Sequence, residues 1–232
     1  ELQGKTAIVT GGTKGIGLAV ARALLDRGMN VVVSARTASD IERVVGELAE
    51  ASGAGDAAVR GVVCDVRRAE DCQRLIAETV DAYGSIDVLV NNAGIGRFAP
   101  FEEFDVDEWR GVIETNLLGA FYCTHAALPH IKAAGGGWII NIASLAAKNA
   151  FPGGTAYNAS KFGLLGMSEA LMQEVRHDDV RVSTILPGSV ATGFSHPTPG
   201  TADEWKIQPD DIAKIVTDLL DTPARTLPSW IE

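Results

Sequence analysis

Tyr157 and Lys161 are the residues of this 232-residue chain whose types and spacing most directly indicate acid–base chemistry. They lie four positions apart at the start of a predicted helix, so their side chains leave the same face. A phenol with the usual tyrosine pKa of about 10 exchanges protons poorly at neutral pH, and a neighbouring ammonium favours its ionised form. The pair predicts a proton donor and acceptor, although residues at this spacing can also be plain neighbours on a helix surface.

Ser144 and Asn116 are two further polar candidates. Ser144 follows a predicted strand, Trp138–Ile142, so its hydroxyl is expected at the carboxyl edge of the sheet, where it could hold a substrate carbonyl oxygen. Asn116 lies among apolar residues within a long predicted helix, Asp107–Ala134, and a buried amide needs a protein or water partner. We expect a distortion of this helix near Asn116.

Short β-branched segments alternate with longer amphipathic segments, a pattern typical of repeated βαβ units. The predicted strands are apolar on both faces, which indicates helices on both sides of the sheet. No linker or repeat divides the sequence, so we expect one α/β domain over residues 1–232 with a doubly wound parallel sheet. The predicted strands are Thr6–Thr10, Val31–Ser34, Val59–Cys64, Val88–Asn91, Trp138–Ile142 and Val180–Leu186, and the predicted helices are Ile16–Arg27, Ile41–Ala51, Ala69–Tyr83, Asp107–Ala134, Tyr157–Glu174 and Asp210–Leu220.

A glycine-rich turn, Thr10–Gly17, follows the first predicted strand and opens the first predicted helix. Glycines in such a turn let the backbone approach a pyrophosphate, whose charge is met by N–H groups at the helix start. The spacing differs from the GxGxxG pattern, and a tight loop without a ligand could show the same glycines. The turn predicts a dinucleotide site in combination with residues at the neighbouring strand ends.

Those strand ends carry polar residues that suit a phosphorylated dinucleotide. Arg36 stands where an NAD site has an acidic residue about 20 positions after the turn. A guanidinium suits the 2′-phosphate of NADP(H), and Lys14 could add a second positive charge, unless both are merely solvated surface residues. Asp65 could accept a hydrogen bond from an adenine amino group or cap the next helix. Asn91–Gly94 forms a polar turn at the same sheet edge.

Taken together and in order, these motifs resemble those of the short-chain dehydrogenase/reductase superfamily in its single-domain form, and the resemblance spans about Lys5 to Thr192. Similarity extends to 3-oxoacyl-carrier-protein reductase-like and 3-hydroxy acid dehydrogenase-like members. The last strand, at Pro228–Glu232, is shortened and lacks the GG-containing end of the 3-oxoacyl-carrier-protein reductases. The matching motifs are TGxxxGIG at Thr10–Gly17, NNAG at Asn91–Gly94, the helix asparagine Asn116, Ser144, the YxxxK pair Tyr157 and Lys161, and the PG turn Pro187 and Gly188.

The resemblance implies a Rossmann fold and an enzyme that uses NADP(H) to reduce a carbonyl reversibly to a secondary alcohol. Tyr157 is then the acid/base, while Lys161 lowers the Tyr157 pKa and holds the nicotinamide ribose. Ser144 orients the carbonyl, and Asn116 holds a water that links Lys161 to solvent. Thr192 contacts the nicotinamide amide. The implied cofactor-binding residues are Gly11, Thr13, Lys14, Gly15, Ile16, Gly17, Arg36, Asp65, Val66, Asn92, Ala93, Gly94, Tyr157, Lys161, Pro187, Gly188, Val190 and Thr192.

The resemblance also implies a homo-oligomer, a dimer or tetramer. In it the helical segments Asp107–Ala134 and Tyr157–Glu174 pack across a dimer axis. The segment from 189 to 208 is expected to be a short substrate loop beside an open pocket for a small-molecule carbonyl or alcohol.

The composition excludes several other classes of function. A net charge of −10 argues against a broad nucleic-acid-binding face. No apolar stretch reaches the ~18 residues needed to cross a bilayer, and no secretory signal is apparent, so we expect a cytoplasmic protein without membrane association. We expect no metal site, because metal-ligand spacing with cysteines or acids is missing at His125, His130, His177 and His196.

The main alternative is a non-catalytic dinucleotide-binding regulator on the same fold, because a fold does not fix a function. Such a regulator would not need Tyr157, Lys161 and Ser144, so their presence favours the enzyme. A sugar-nucleotide epimerase would need a substantial substrate domain after Gly188, for which the sequence leaves little room.

Overall fold

The computed structural model describes residues 2–52, 57–192, 205–223 and 225–232. Within these ranges the chain forms a parallel sheet of seven strands. The strands are β1 (Thr6–Thr10), β2 (Asn30–Ala35), β3 (Val59–Val63), β4 (Val88–Asn91), β5 (Gly137–Ile142), β6 (Val180–Ile185) and β7 (Trp230–Ile231). Their order across the sheet is β3-β2-β1-β4-β5-β6-β7.

Helices connect the strands and cover both faces of the sheet, as a right-handed parallel crossover requires. Two 3₁₀ turns, Phe101–Glu103 and Leu145–Ala147, and a π-helical segment, Glu114–Leu118, complete the described elements. The helices are α1 (Gly15–Asp26), α2 (Ala38–Ser52), α3 (Ala69–Tyr83), α4 (Val106–Ile113), α5 (Gly119–Ala133), α6 (Thr155–Val175) and α7 (Pro209–Leu220).

Alternate residues of β1 enter two different apolar clusters, because successive side chains of a strand point to opposite faces. Val9 packs with Leu24 of α1 in one cluster, which also contains residues of α7. Ile8 packs with Leu75 of α3 and Ile131 of α5 in the other. The sheet is therefore covered on both sides, and the predicted doubly wound Rossmann fold is confirmed.

The predicted helix Asp107–Ala134 is present as one helical stretch, and the expected distortion near Asn116 is confirmed. The segment divides into α4, the π-helical segment that contains Asn116, and α5. The start of α4 is stabilised by Asp105, whose carboxylate accepts hydrogen bonds from the backbone N–H groups of Asp107 at 3.0 Å and Glu108 at 2.9 Å. A π-helical turn accommodates one extra residue, and such turns are frequent at functional sites.

The order of the strands places a crevice at the carboxyl ends of β1 and β4. These strands are neighbours in the sheet, yet the chain runs from β1 towards β2 on one side and from β4 towards β5 on the other. Ligands of open α/β sheets bind in the crevice where the strand order reverses in this way. The glycine-rich turn follows β1 and the turn that begins at Asn92 follows β4, so both lie at this crevice.

The two described ends of the predicted substrate loop are paired with each other. Val190 forms an isolated parallel bridge with Ile207, and the Ala191 N–H donates to the Ile207 carbonyl at 2.8 Å. The part of the predicted loop from 193 to 204, including His196, lies outside the described residues.

The described ranges contain neither a candidate membrane-spanning helix nor a cluster of metal ligands. None of the helices there combines the length and apolar character needed to cross a membrane. In the same ranges no three His, Cys, Asp or Glu side chains are grouped as ligands for a metal ion.

Candidate active site

Glycine is needed at several positions of the glycine-rich turn, which keeps the backbone free of side chains there. Gly11 and Gly15 have φ angles of +64° and +53°, which favour glycine. A Cβ atom at Gly17 would overlap the Gly11 carbonyl oxygen and the Asn92 side chain, while one at Gly15 would lie 3.1 Å from the Thr192 Cγ2 atom. The turn is a bare backbone surface at the start of α1, which fits a pyrophosphate.

Hydrogen bonds lock the turn after β4 onto the turn after β1. The Thr10 hydroxyl accepts from the backbone N–H groups of Asn92 and Ala93, both at 3.1 Å. The Asn92 amide donates to the carbonyls of Thr10 at 2.9 Å and Gly11 at 3.1 Å. The two predicted motifs are thus one rigid unit, and Thr10 is a positioning residue whose role the sequence did not single out.

We expect Gly17→Ala to weaken dinucleotide binding at least tenfold, because the new methyl group must displace the turn or Asn92. The binding of NADPH, followed by its fluorescence, measures this loss. Gly46→Ala in α2 is the matched control, since a Cβ atom at Gly46 meets nothing within 4 Å. The control should bind NADPH normally and be slightly more stable. Equal binding by the two variants would contradict the assigned role of the turn.

The basic residues proposed for a 2′-phosphate lie at the surface beside this turn. Lys14 and Arg36 are both exposed, and neither forms an ion pair within the described residues. Arg36 is near enough to Asp65 to help lower the pKa of that carboxyl, which places the ends of β2 and β3 side by side. This arrangement fits an anionic group next to an adenosine.

Asp65 is already engaged within the protein. Its carboxylate accepts two hydrogen bonds from the Arg67 Nε atom at 3.0 Å, and Arg67 is the main cause of the lowered pKa of Asp65. The capping alternative is not observed, since the N-cap of α3 is Arg68 and no side-chain cap bond is made there. Val66, the next predicted cofactor residue, is buried against Gly119.

The Ser144 segment and the Pro187–Gly188 turn form the opposite wall of the crevice. The Leu145 N–H donates to the Pro187 carbonyl at 3.0 Å, and the Ser144 hydroxyl accepts from the Ala146 N–H at 3.1 Å. Thr192 follows the turn and lies close to Gly15 across the crevice, since a Cβ atom added at Gly15 would come within 3.1 Å of the Thr192 Cγ2 atom. The two walls therefore bring the predicted nicotinamide end close to the start of α1.

Tyr157 and Ser144, both predicted site residues, lie next to each other in the structure. Their side chains share a hydrogen bond, which lowers the pKa of Tyr157, but burial has the larger effect and raises that pKa above its usual value. In the structure of the chain, Lys161 therefore does not lower the Tyr157 pKa as the resemblance implies. The reason is geometric, because the Lys161 Nζ atom lies 5.7 Å from the centre of the Tyr157 ring and donates to the Ile142 carbonyl at 2.9 Å.

Lys161 is almost completely enclosed. Only 4% of its surface is exposed, and burial lowers its pKa from 10.5 to about 8. The ammonium is mainly protonated at neutral pH, so the site holds a positive charge next to a neutral phenol. A buried lysine with a lowered pKa is typical of functional sites.

We expect Lys161→Met to raise the free energy of unfolding at pH 7 by about 2 kcal/mol. The lowered pKa corresponds to a cost of about 3 kcal/mol, and loss of the bond to Ile142 offsets about 1 kcal/mol. Below pH about 8 the folded and unfolded wild-type chains both hold the proton, so the full cost of burial is present. Between pH about 8 and 10.5 only the unfolded chain still holds the Lys161 proton, so the stability of the wild type rises with pH. The difference in free energy of unfolding between Lys161→Met and the wild type therefore becomes smaller over this range.

Urea unfolding followed by circular dichroism at pH 7 and at about pH 9.5 measures this difference. Lys214→Met is the control, because Lys214 is exposed and its effect should stay within about 0.5 kcal/mol. A Lys161→Met protein no more stable than wild type at pH 7 would show that Lys161 carries no burial cost.

Asn116 joins the π-helical segment to the backbone that follows β4. Its Oδ1 atom accepts from the Ile95 N–H at 2.8 Å, and its amide donates to the Ile95 carbonyl at 2.9 Å and to the Ser160 hydroxyl at 3.0 Å. Ser160 in turn donates to the Tyr157 carbonyl at 2.7 Å. Asn116 is 2% exposed and fixes the turn of α6 that carries Tyr157. Ser160 is a further positioning residue that the sequence did not single out.

Two aromatic side chains at the site were also missed. The Phe98 ring lies edge-on to the Tyr157 ring with centres 5.6 Å apart, and the Phe151 ring lies 5.7 Å from Phe98. Phe98 comes four residues after Gly94, and Phe151 lies between Ser144 and Tyr157 along the chain. The sequence shows only that each phenylalanine lies close to predicted site residues along the chain. The contact between the two rings depends on how the loops fold.

A family model described as short chain dehydrogenase matches residues 5–202. The chain is 39% identical over 196 residues to D-threitol dehydrogenase of Mycolicibacterium smegmatis, a match that covers 84% of this chain and 74% of that protein. It is also 39% identical over 196 residues to dehydrogenase/reductase SDR family member 4 of Oryctolagus cuniculus, with the same coverage of both chains.

Solved structures agree with these relatives. An alcohol dehydrogenase from the archaeon Thermococcus sibiricus, complexed with 5-hydroxy-NADP, superposes with a TM-score of 0.90 at 32% identity and covers 98% of this chain and 94% of that one. A metagenomic short-chain oxidoreductase in complex with NADP gives a TM-score of 0.86 at 36% identity, with 99% and 96% covered. The chain therefore belongs to the short-chain dehydrogenase/reductase family and is an oxidoreductase with a nicotinamide dinucleotide cofactor.

Proposed function

We propose that the protein is an NADP(H)-dependent enzyme that reduces a carbonyl compound to a secondary alcohol and catalyses the reverse oxidation, with Tyr157 as the acid/base. The observation that carries this proposal is the hydrogen bond between Tyr157 and Ser144 beside the buried ammonium of Lys161. Relatives named as dehydrogenases favour this enzyme over a non-catalytic regulator. Bound NADPH supplies the hydride that the carbonyl carbon accepts.

The protein residues supply the proton. As negative charge develops on the carbonyl oxygen, the Tyr157 hydroxyl donates its proton to that oxygen, and the Ser144 hydroxyl holds it by a hydrogen bond. The raised pKa of Tyr157 keeps the phenol protonated at neutral pH, which is the form that reduction needs. The Lys161 ammonium, 5.7 Å from the centre of the Tyr157 ring, gives the site a positive charge, while burial sets the direction of the Tyr157 pKa. Oxidation of the alcohol runs these proton steps in reverse.

The preference for NADP(H) over NAD(H) rests on Arg36 and Lys14. Both side chains are exposed beside the glycine turn, where a 2′-phosphate would be met by a guanidinium and an ammonium. The two similar structures that contain an NADP-type ligand support this assignment. Arg67 is held by Asp65, so Arg36 is the better candidate for the main phosphate contact.

We further infer that the protein forms a homo-oligomer through α5 and α6. Each of these helices exposes a large aromatic side chain, Phe121 at 45% and Phe162 at 45%, and a pair of such helices offers an apolar face to a second copy. Light scattering after size exclusion should give a dimer or tetramer, and a monomer at micromolar concentration would remove this inference.

A substrate panel tests the proposed activity. Purified protein is mixed with NADPH or NADH and with simple ketones, 3-oxo esters or quinones, and the loss of reduced cofactor is followed by absorbance. The reverse reaction is tested with secondary alcohols and NADP. We expect NADPH consumption with at least one carbonyl class and a much slower reaction with NADH. Consumption of neither cofactor with any carbonyl, in a protein that binds NADPH, would favour the regulator instead.

A further inference from the structure

The rings of Phe98 and Phe151 form an aromatic wall next to Tyr157. Phe98 is 46% exposed and Phe151 is 41% exposed, although both are large apolar side chains. Partly exposed rings that touch each other and a half-buried tyrosine make a contiguous apolar surface, and such surfaces in a crevice mark ligand-binding sites.

The wall is held in place by the backbone on both sides. The Ala99 N–H donates to the Gly153 carbonyl at 3.0 Å, which ties the segment of Phe98 to the segment of Phe151. The Phe151 N–H donates to the Asn158 side chain at 3.2 Å, and that side chain also donates to the Ala146 carbonyl at 2.8 Å. The backbone segments that carry the rings are therefore fixed relative to the helix of Tyr157 and to the turn after Ser144, which reduces the entropy lost when a ligand binds.

Cations that could hold an acidic substrate are committed elsewhere. Arg97, next to Phe98, lies 3.6 Å from a Glu108 carboxylate oxygen, and Lys148, before Phe151, forms an ion pair with Glu232 and lies 3.7 Å from the centre of the Trp230 ring. The sequence from 193 to 204 contains no lysine or arginine. A substrate carboxylate would compete with Glu108 and Glu232 for these two cations, and Lys161, the cation next to Tyr157, is buried.

We propose that Phe98 and Phe151 select neutral carbonyl compounds that carry an aryl or similarly flat apolar group, which stacks on these rings while the carbonyl oxygen faces Tyr157 and Ser144. This inference rests on the proposed carbonyl reductase activity. Aromatic rings prefer offset or edge-to-face partners at centre distances like those seen here, so a third ring continues the existing arrangement. The two phenylalanines are specificity-determining residues, and the proton transfer itself does not involve them.

The test compares three ketones that differ beside the same acetyl group: benzylacetone, methyl ethyl ketone and acetoacetate. Initial rates of NADPH consumption give kcat/KM for each. For the wild type we expect benzylacetone to exceed methyl ethyl ketone by at least about tenfold, since a phenyl group leaves water, and acetoacetate to be the poorest. Phe98→Ala and Phe151→Ala should each reduce the ratio of the first two values about three- to tenfold, mainly through KM.

Phe98→Tyr should keep most of the preference for benzylacetone over methyl ethyl ketone, because this substitution keeps the aromatic ring. Phe101→Ala is the control, since Phe101 is a phenylalanine of the same segment that is 78% exposed and takes part in none of the ring contacts among the described residues. NADPH affinity, measured by fluorescence, should be unchanged in all of these variants.

The outcomes separate this inference from the proposed function. No NADPH consumption with any carbonyl would remove the activity itself. Reduction of methyl ethyl ketone or acetoacetate at rates equal to or above that of benzylacetone would leave the activity standing and overturn the aryl preference. An unchanged ratio in Phe98→Ala and Phe151→Ala, with a strong preference in the wild type, would also overturn the assignment to these residues.

Discussion

Tyr157→Phe is expected to reduce turnover by roughly 10²- to 10⁴-fold while NADPH still binds. The substitution keeps the ring and its edge-on contact with Phe98, but it removes the hydroxyl that bonds to Ser144. The carbonyl oxygen then has no direct proton donor as its charge develops. Single-turnover rates of NADPH consumption with a good ketone measure the loss, and fluorescence titration checks that cofactor affinity is retained.

Tyr83→Phe is the matched control for this prediction. It also removes one phenolic hydroxyl, which here donates to the Ala57 carbonyl at 3.0 Å at the end of α3, outside the site. We expect wild-type turnover from this variant. Near-normal rates from Tyr157→Phe on a good substrate would show that Tyr157 is not the acid/base.

Arg36→Asp should shift the preference between NADPH and NADH towards NADH by on the order of 10²- to 10³-fold. The substitution removes the charge-assisted partner of the 2′-phosphate and places a carboxylate there, which repels the phosphate and can accept hydrogen bonds from the free ribose hydroxyls of NADH. The ratio of kcat/KM for the two cofactors, measured with one ketone at fixed concentration, reports the shift.

Arg43→Asp is the control for the charge change. Arg43 lies on α2 in an ion pair with Glu47, and its substitution alters the net charge by the same amount as Arg36→Asp. This variant should keep the wild-type cofactor preference. A wild type that already uses both cofactors equally, or equal shifts from both variants, would contradict the assignment of Arg36.

Much of the fold and the site follows from local sequence patterns. The alternation of β-branched and amphipathic segments predicted the strands and the doubly wound sheet, because both signals depend on periodicity within each segment. Parallel strands bring their carboxyl ends to one edge, so Thr10, Asn92 and Ser144 could be placed together before any contact was known. The distortion at Asn116 was predictable because an amide in an apolar helix needs partners.

Other features depend on loops that approach each other only in three dimensions. The contact between Phe98 and Tyr157, and the engagement of Asp65 by Arg67, are set by loop geometry that has no periodic signal. The shift of the Tyr157 pKa also depends on the three-dimensional structure. Burial raises this pKa, and the presence of Lys161 four residues away in the sequence does not determine the direction of the shift. Sequence spacing shows which groups are neighbours, whereas burial decides how their charges behave.

The most direct test of the proposed activity is the transfer of deuterium from NADPH in which both hydrogens of the nicotinamide C4 are deuterium. The labelled cofactor is incubated with the protein and benzylacetone, or with the best ketone of the panel, and the product is examined by NMR and mass spectrometry. The expected product is a secondary alcohol with deuterium on the carbinol carbon, and one alcohol should form for each NADPH consumed. Alcohol without deuterium on that carbon, or bound NADPH that is never consumed with any carbonyl, would contradict the proposed activity.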